Sequence, residues 1–445
     1  MTKPPERALG TFDASLLVVG CIVGAGIFLV SPAVAGHVRS PAAFLATWVI
    51  GGAVALAGAL CNGELGGMLP RSGGEYIYLR HAYGPGLGFL SGWTSFWIVF
   101  PGSIAAMAAG FGNTVAAMVG WHAARAPATI GITAIVVLTL VNAGGIHAGK
   151  WVQNALSLAK LLAFAGLLVI GWFSPFSVAA HSGLTPFFVG GDTLAGIAAA
   201  LIPVLFAYSG WNAATYIAGE MREPERNLGK ALVIGTGLCI LLYLAVNVSY
   251  LRALPMAELK GAADPARLTA ERMEGRWAAN LLTPLVAMCV LGSMQATVLT
   301  GPRICKAMAD DGLFFRFAGS MGERSRSPYV ALAAQALIAI ALLVSGSFEQ
   351  LLTFTTVAIV AFSTLTVASV VLLRRRMPST PRAFRTPLYP LVPVFFIAVN
   401  LWVLWEVVFA SPAESAIGLA IVATGIPAYL LFRAGMRRNR EELAQ

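Results

Sequence analysis

Two short strings carry the most specific chemistry in this sequence, and neither contains a charged side chain. The first, Val-Gly-Cys-Ile-Val-Gly-Ala-Gly-Ile-Phe at residues 19–28, sets Gly20, Gly24 and Gly26 in the middle of an apolar run. The second, Pro203 followed by Phe206-Ala207-Tyr208-Ser209-Gly210-Trp211-Asn212, interrupts another apolar run in the same way. Glycine costs helix stability and permits an unwound turn, and proline removes a backbone donor. A helix broken at such a point exposes backbone dipoles. The free N–H groups of Ala25, Gly26 and Ile27, at the start of the following half-helix, carry the positive end and suit a carboxylate. The free carbonyls of Ile22 and Val23 in the first string, and of Phe206, Ala207 and Ser209 in the second, suit an ammonium. Together they make a receptor for a zwitterionic α-amino acid. Gly20 and Gly24 also fit a second reading, close helix packing of the small-xxx-small kind.

Lys160 is the one basic residue placed near the middle of an apolar run, 151–172. A central lysine costs roughly 2.5–3.5 kcal/mol on insertion scales, so it must face a partner or a cavity. Burial lowers a lysine pKa, which would let its protonation link to gating; a lysine satisfied by helix carbonyls, with no part in coupling, is the structural alternative. Other polar residues are less pointed. Glu64 is expected to pair with Arg71 at an interface, Glu220 and Arg226 flank the inner end of a span and suit an inner-gate network or plain solvation, Trp211 reads as packing, Glu406 as peripheral, and Gln295 as a pathway-lining candidate.

The elements that must position these residues follow from composition. Of 445 residues 58% are hydrophobic and 11% charged, with a mean hydropathy of +0.77. Soluble domains carry roughly 25% charged residues, so a soluble globular enzyme is excluded. A spanning helix needs about 20 apolar residues, and such runs fall near 14–36, 42–66, 86–119, 127–145, 151–172, 193–221, 229–252, 279–302, 330–346, 348–373, 388–409 and 413–433. The sequence therefore predicts an all-α membrane protein of about 12 transmembrane helices. The breaks lie in the first and sixth spans, and such matched breaks are the pointer to an inverted-repeat secondary transporter with a midplane site. Irregular backbone at that depth must line a cavity, because lipid cannot satisfy it.

With the N-terminus placed inside, 22 of the 30 Lys and Arg residues lie in inner segments and 7 in outer ones. The net charge of +10 is thus a topology signal rather than a nucleic-acid footprint, and both termini are expected on the cytoplasmic side of the cell membrane. Ala33-Val34-Ala35 resembles a signal-peptide cleavage site, but the preceding run is too long and is interrupted by glycine, so cleavage is not expected. The five cysteines, Cys21, Cys61, Cys239, Cys289 and Cys305, show no paired spacing, and the five histidines no metal-ligand spacing. Gly24-Ala25-Gly26 is not followed by the Lys and Ser/Thr of a phosphate loop. No cofactor, metal or enzymatic activity is expected.

Gly24-Ala25-Gly26-Ile27-Phe28, the stretch from Glu64-Leu65 to Pro70-Arg71-Ser72-Gly73-Gly74-Glu75-Tyr76, and Phe206 to Asn212 running into Glu220, Pro224 and Arg226-Asn227 resemble the amino acid-polyamine-organocation (APC) superfamily. Within it the chain is most similar to the L-type amino acid transporter (LAT) family and its bacterial relatives, over essentially its whole length, including Gly301 to Leu313 and Arg382-Ala383-Phe384-Arg385. The resemblance implies a LeuT-like fold within one polytopic domain: two inverted five-helix repeats, 14–172 and 193–373, plus two peripheral helices, 388–433. It also implies alternating access, Phe206 as a gate over bound substrate, Asn212 as a residue holding the site, and Lys160 in the place that sodium takes in sodium-coupled relatives. The family often has serine where this chain has Ala25, so a hydroxyl contact to the carboxylate is replaced by backbone N–H groups.

The expected function is sodium-independent transport of small or medium neutral L-amino acids, by exchange or facilitated transport, since no central span contributes a carboxylate for a cationic side chain. The alternative is a proton-coupled amino acid or amine symporter on the same scaffold. A channel should show a charged ring or repeated filter loop, neither of which the sequence contains. The short outer connection 120–126 has no cysteine, so a disulfide-linked ancillary subunit is not expected.

Overall fold

The structure is a computed structural model that describes residues 7–24, 26–173, 189–322, 325, 327–345 and 348–444. The described residues are almost entirely helical. Each apolar run lies on helix. The first is two helices, α1 (Thr11–Ile22) and α2 (Gly26–His37), separated by the predicted break. The second is α3 (Pro41–Met68), opened by proline and capped by the Ser40 hydroxyl, which accepts from the Ala43 N–H. The connection that follows holds a short helix, α4 (Glu75–Tyr83), before α5 (Pro85–Thr94), a π-helical turn at Ser95–Val99 and α6 (Phe100–Val119). Next come α7 (Ala126–Ala143) and α8 (Ile146–Phe173), which carries Lys160.

The run interrupted at Phe206 is α9 (Leu194–Ala207), an unwound stretch and a 3-10 segment, Ala213–Glu220. The second half of this span is thus more tightly wound than an α-helix. Beyond it lie α10 (Pro224–Ala253), the connecting helices α11 (Met256–Gly261) and α12 (Pro265–Glu274), α13 (Arg276–Thr300), and α14 (Pro302–Asp310). The chain finishes with α15 (Tyr329–Ser345), α16 (Phe348–Arg376), α17 (Leu391–Ala410) and α18 (Pro412–Ala444).

Eight of the described helical stretches are long and apolar enough to cross a membrane, and α1, α9 and α15 are shorter apolar helices. Position in the bundle follows burial. In the most apolar windows of α17 and α18 only 28% and 17% of residues are buried, against 61% in α3, so the last two helices sit at the periphery. At the centre α1 packs against α8, α10 and α13, and α2 against α9.

The two breaks touch. A Cβ built on Gly26 would lie 3.0 Å from the Ala207 Cα, and one on Gly210, whose φ is +103°, would lie 2.7 Å from the Cys21 Cβ. Glycine is required at both positions, by close approach at the first and by backbone conformation as well at the second. Gly20 has a different job: it packs against Gln153 and Ser157 of α8. The packing reading therefore holds for Gly20, while Gly26 sits where the two interrupted helices meet.

Candidate functional site

A cavity of about 170 Å³ opens where the breaks meet. Ile22, Gly26, Phe206, Ala207, Ser209 and Asn212 line it, all of them residues singled out in the sequence. Val23 and Ile27 are fully buried beside it, and Ala25 lies outside the described residues. The π-helical turn adds Ser95 and Val99 to the wall, in keeping with the use of such turns at functional sites. Ser103, Met107, Gly110 and Phe206 are partly exposed, whereas Glu75, Phe100, Asn212, Tyr216 and Thr300 are buried. The cavity is thus more accessible at the Gly110 end and closes toward Tyr216.

The carbonyls of the first break already have partners. The Lys160 ammonium donates to the carbonyls of Gly20 at 3.1 Å and Val23 at 2.7 Å, and to the Ser293 hydroxyl at 3.1 Å. Three acceptors match its three protons, so an intramembrane charge that cannot reach water is fully hydrogen-bonded. Ser293 itself lies 2.7 Å from the Gly20 carbonyl and 3.0 Å from that of Val23. Gly292 makes this possible, since a Cβ there would meet the Lys160 Cε at 2.5 Å. On the other side the Tyr243 hydroxyl donates to the Ile22 carbonyl at 2.7 Å and reaches that of Ala207 at 3.2 Å. One phenol from α10 therefore ties the first break to the second.

Sequence reasoning missed Tyr243 and Ser293, because nothing in a long apolar helix marks which face meets the break. It also missed Glu75, which lines the cavity from the N-terminus of α4. The Glu75 Oε1 accepts from the Asn212 Nδ2 at 3.0 Å and from the Ser363 hydroxyl at 2.8 Å. No central span contributes a carboxylate, but the helix in the connection after the second span does. The signal was the pair Gly73-Gly74, whose φ values of +127° and +53° fold α4 back against Tyr216.

Below the cavity a polar layer seals the bundle. Arg303 donates twice to Glu220, from Nε and from an Nη, each at 3.1 Å, in a pair that is almost wholly buried. The Ser72 hydroxyl accepts from the Gly219 N–H at 2.9 Å, and Leu9 forms a parallel bridge with Met221. Asp311 gathers Arg71, Arg80 and the Tyr76 hydroxyl. Glu220 is in this layer as expected; Arg226 is not, being exposed and loosely paired with Glu223 at 3.8 Å.

Two further expectations change. Glu64 pairs with Arg374 at 2.7 Å and Arg382 at 3.3 Å rather than with Arg71, because α16 and the segment after it close over α3. Gln295 is buried against Asn142 and the Gly149 carbonyl, away from the cavity lining.

Comparison with known proteins matches this arrangement to a family. The amino acid permease family model covers residues 9–430. The chain belongs to that family. It is 29% identical to the serine/threonine exchanger SteT of Bacillus subtilis over 98% of each chain. It is 30% identical to the mouse b(0,+)-type amino acid transporter 1, over 97% of this chain and 89% of the relative, and 28% identical to the mouse large neutral amino acids transporter small subunit 2, over 96% of this chain and 81% of the relative. The permease is therefore a multi-pass membrane protein of the APC superfamily, with LAT-type relatives, and a transporter rather than an enzyme.

Proposed function

We propose that this permease is a sodium-independent secondary transporter of small or medium neutral L-amino acids, working by alternating access as an exchanger or facilitator. The observation that carries the reading is the Lys160 ammonium seated on the carbonyls of the first break, with Ser293 beside it. A fixed cation there supplies the positive charge that a sodium ion would otherwise bring, so the break is held without one.

The substrate's carboxylate meets the N–H groups at the start of α2, including Gly26 and Ile27, and Ala25 next to them, where the helix dipole favours an anion. Its ammonium meets the remaining lone pairs of the carbonyls around Ala207 and Phe206; a carbonyl that accepts from Tyr243 keeps a second lone pair. Phe206 covers the bound substrate and Asn212 holds the side of the pocket near Glu75. A cavity of about 170 Å³ suits a compact amino acid, and the serine/threonine exchanger among the relatives supports both the size and the mode.

In this reading twelve helices form two inverted repeats, 14–172 and 193–373, with 388–433 peripheral. The termini are cytoplasmic in the cell membrane, and the polar layer of Glu220, Arg303 and Asp311 is the inner gate, closed in this conformation. No disulfide-linked subunit is needed: four of the five cysteines are buried, and none lies in 120–126. The test uses purified protein in liposomes with radiolabelled L-serine, L-alanine and L-leucine. Uptake that ignores sodium is expected, and a requirement for internal amino acid would mark exchange; strict sodium dependence would overturn the role given to Lys160, and absence of uptake of every α-amino acid would overturn the receptor.

A further inference from the structure

We propose that Glu75 is a proton-binding site of the transport pathway, exchanging a proton with the cavity and coupling it to substrate movement. This rests on the transport reading above and adds a co-substrate to it.

Geometry carries the proposal. Two glycines with positive φ turn the chain so that α4 begins against the 3-10 segment, and a Cβ at Gly74 would strike the Tyr216 ring. Glu75, the first residue of that helix, is 6% exposed and lines the closing end of the cavity. Its Oε1 has two donors, Asn212 and Ser363. Its Oε2 has no protein donor among the described residues, yet it is not among their buried unpartnered atoms, so it is open to the cavity.

The surroundings leave its charge uncompensated. Across from it stand Tyr216 on the 3-10 segment, Asn212 in the break and Ser363 on α16; Tyr78 stands on its own helix, and Cys21 lines the cavity from α1. The phenols and the thiol are neutral near pH 7. The basic side chains of the sealing layer are engaged elsewhere, Arg303 with Glu220 and both Arg71 and Arg80 with Asp311. An unpaired buried carboxylate is costly, and binding a proton removes that cost. Burial pushes the Glu75 carboxyl up to about 7, against the donors Ser363 and Asn212, which favour the ionised form.

Its place supplies alternating access and coupling. Glu75 is reached from the cavity now, and it lies three residues after Ser72, whose hydroxyl is bonded to Gly219 in the seal. When the seal parts, the same carboxyl faces the other side. Asn212 is shared between the carboxylate and the substrate site, so a substrate that recruits the Asn212 amide removes one donor from Oε1 and tightens proton binding. By linkage the proton tightens substrate binding equally, which is the sign of symport.

The experiment measures L-serine uptake into liposomes holding the full chain, at symmetric pH about 7.5 and with the outside at pH about 5.5. The wild type is expected to accumulate serine under the inward proton gradient and to stop when a protonophore collapses it. Glu75→Gln should lose this response, whatever its absolute rate, while Glu75→Asp keeps it with a displaced pH midpoint. Substrate-induced proton uptake by solubilised protein in weak buffer gives a second reading that needs no transport: up to about half a proton for the wild type near pH 7, where the free carboxyl is already partly protonated, and none for Glu75→Gln. Gradient-driven accumulation retained by Glu75→Gln, or a wild type indifferent to the gradient while exchange with internal serine is intact, overturns the proposal. No serine flux under either condition overturns the transport reading itself.

Discussion

The Lys160 Nζ lies 2.7 Å from the carbonyl oxygen of Val23, the last acceptor before the first helix break. A basic side chain from α8 thereby caps the end of α1. The same ammonium holds Gly20 and Ser293, so α1, α8 and α13 meet at one point.

Lys160→Ala should leave the Gly20 and Val23 carbonyls to share the single proton of the Ser293 hydroxyl, at a cost of about 1–3 kcal/mol for the group left unsatisfied. Transport is expected to fall by at least about tenfold, the effect of about 1.4 kcal/mol on a rate-limiting step, while the protein still inserts. Radiolabelled uptake, normalised to surface-exposed protein, checks it. Full activity in Lys160→Ala would show the lysine to be structural ballast.

Tyr243→Phe removes only the hydroxyl that joins the Ile22 and Ala207 carbonyls. A hydrogen bond of this kind contributes about 0.5–1.5 kcal/mol, so a change in apparent substrate affinity of about two- to tenfold is expected. Insertion and thermal stability should change little. An unaltered KM on both faces of the membrane would rule out a role in shaping the site.

Gly210→Ala should be more damaging than Gly26→Ala. The first forces a φ of +103° on an L side chain and presses on Cys21, while the second asks Ala207 to yield at a contact of 3.0 Å. Overpacking costs about 1–3 kcal/mol, to which the backbone strain at Gly210 adds. Gly36→Ala, with nothing within 4 Å of the new Cβ, is the control and should be neutral or slightly stabilising. Thermal denaturation of the three purified variants gives the order.

Arg303→Met strands Glu220 as a buried, unpaired carboxylate, a change worth about 3–5 kcal/mol. The seal below the cavity should open, and a cysteine placed at Ser72 should become reactive to a membrane-impermeant thiol reagent from that side. Adding Glu220→Gln to Arg303→Met should restore much of the protection, because the stranded charge is gone. Equal labelling in all backgrounds would mean that the pair does not hold the gate.

Acid should loosen the same layer through Asp311. Burial alone would raise its carboxyl, but the Tyr76 hydroxyl and Arg80 hydrogen-bond to it and the charges of Arg71 and Arg80 favour its ionised form, so it sits below its ordinary value of 3.8. A depressed folded pKa means stability that is present above the ordinary value and lost as pH falls through the folded one. The melting temperature should therefore fall below pH about 4, with a smaller acid-induced fall in Asp311→Asn. An identical acid response in the two proteins would place the sensitivity elsewhere.

What the sequence by itself determined is local. Apolar runs mark the spans because lipid demands about 20 such residues in a row, and the breaks at Gly24 to Gly26 and around Phe206 to Gly210 are visible because glycine and proline act on their own backbone. Lys160 stands out because a charge amid such a run has no local solution. The tertiary structure decided the partners. Tyr243, Ser293 and Glu75 come from α10, α13 and α4, and Glu64 is held by Arg374 from 310 residues away. A helix that is apolar on every side offers no stripe from which its inward face can be read, so only the packed bundle shows which side chains reach the breaks.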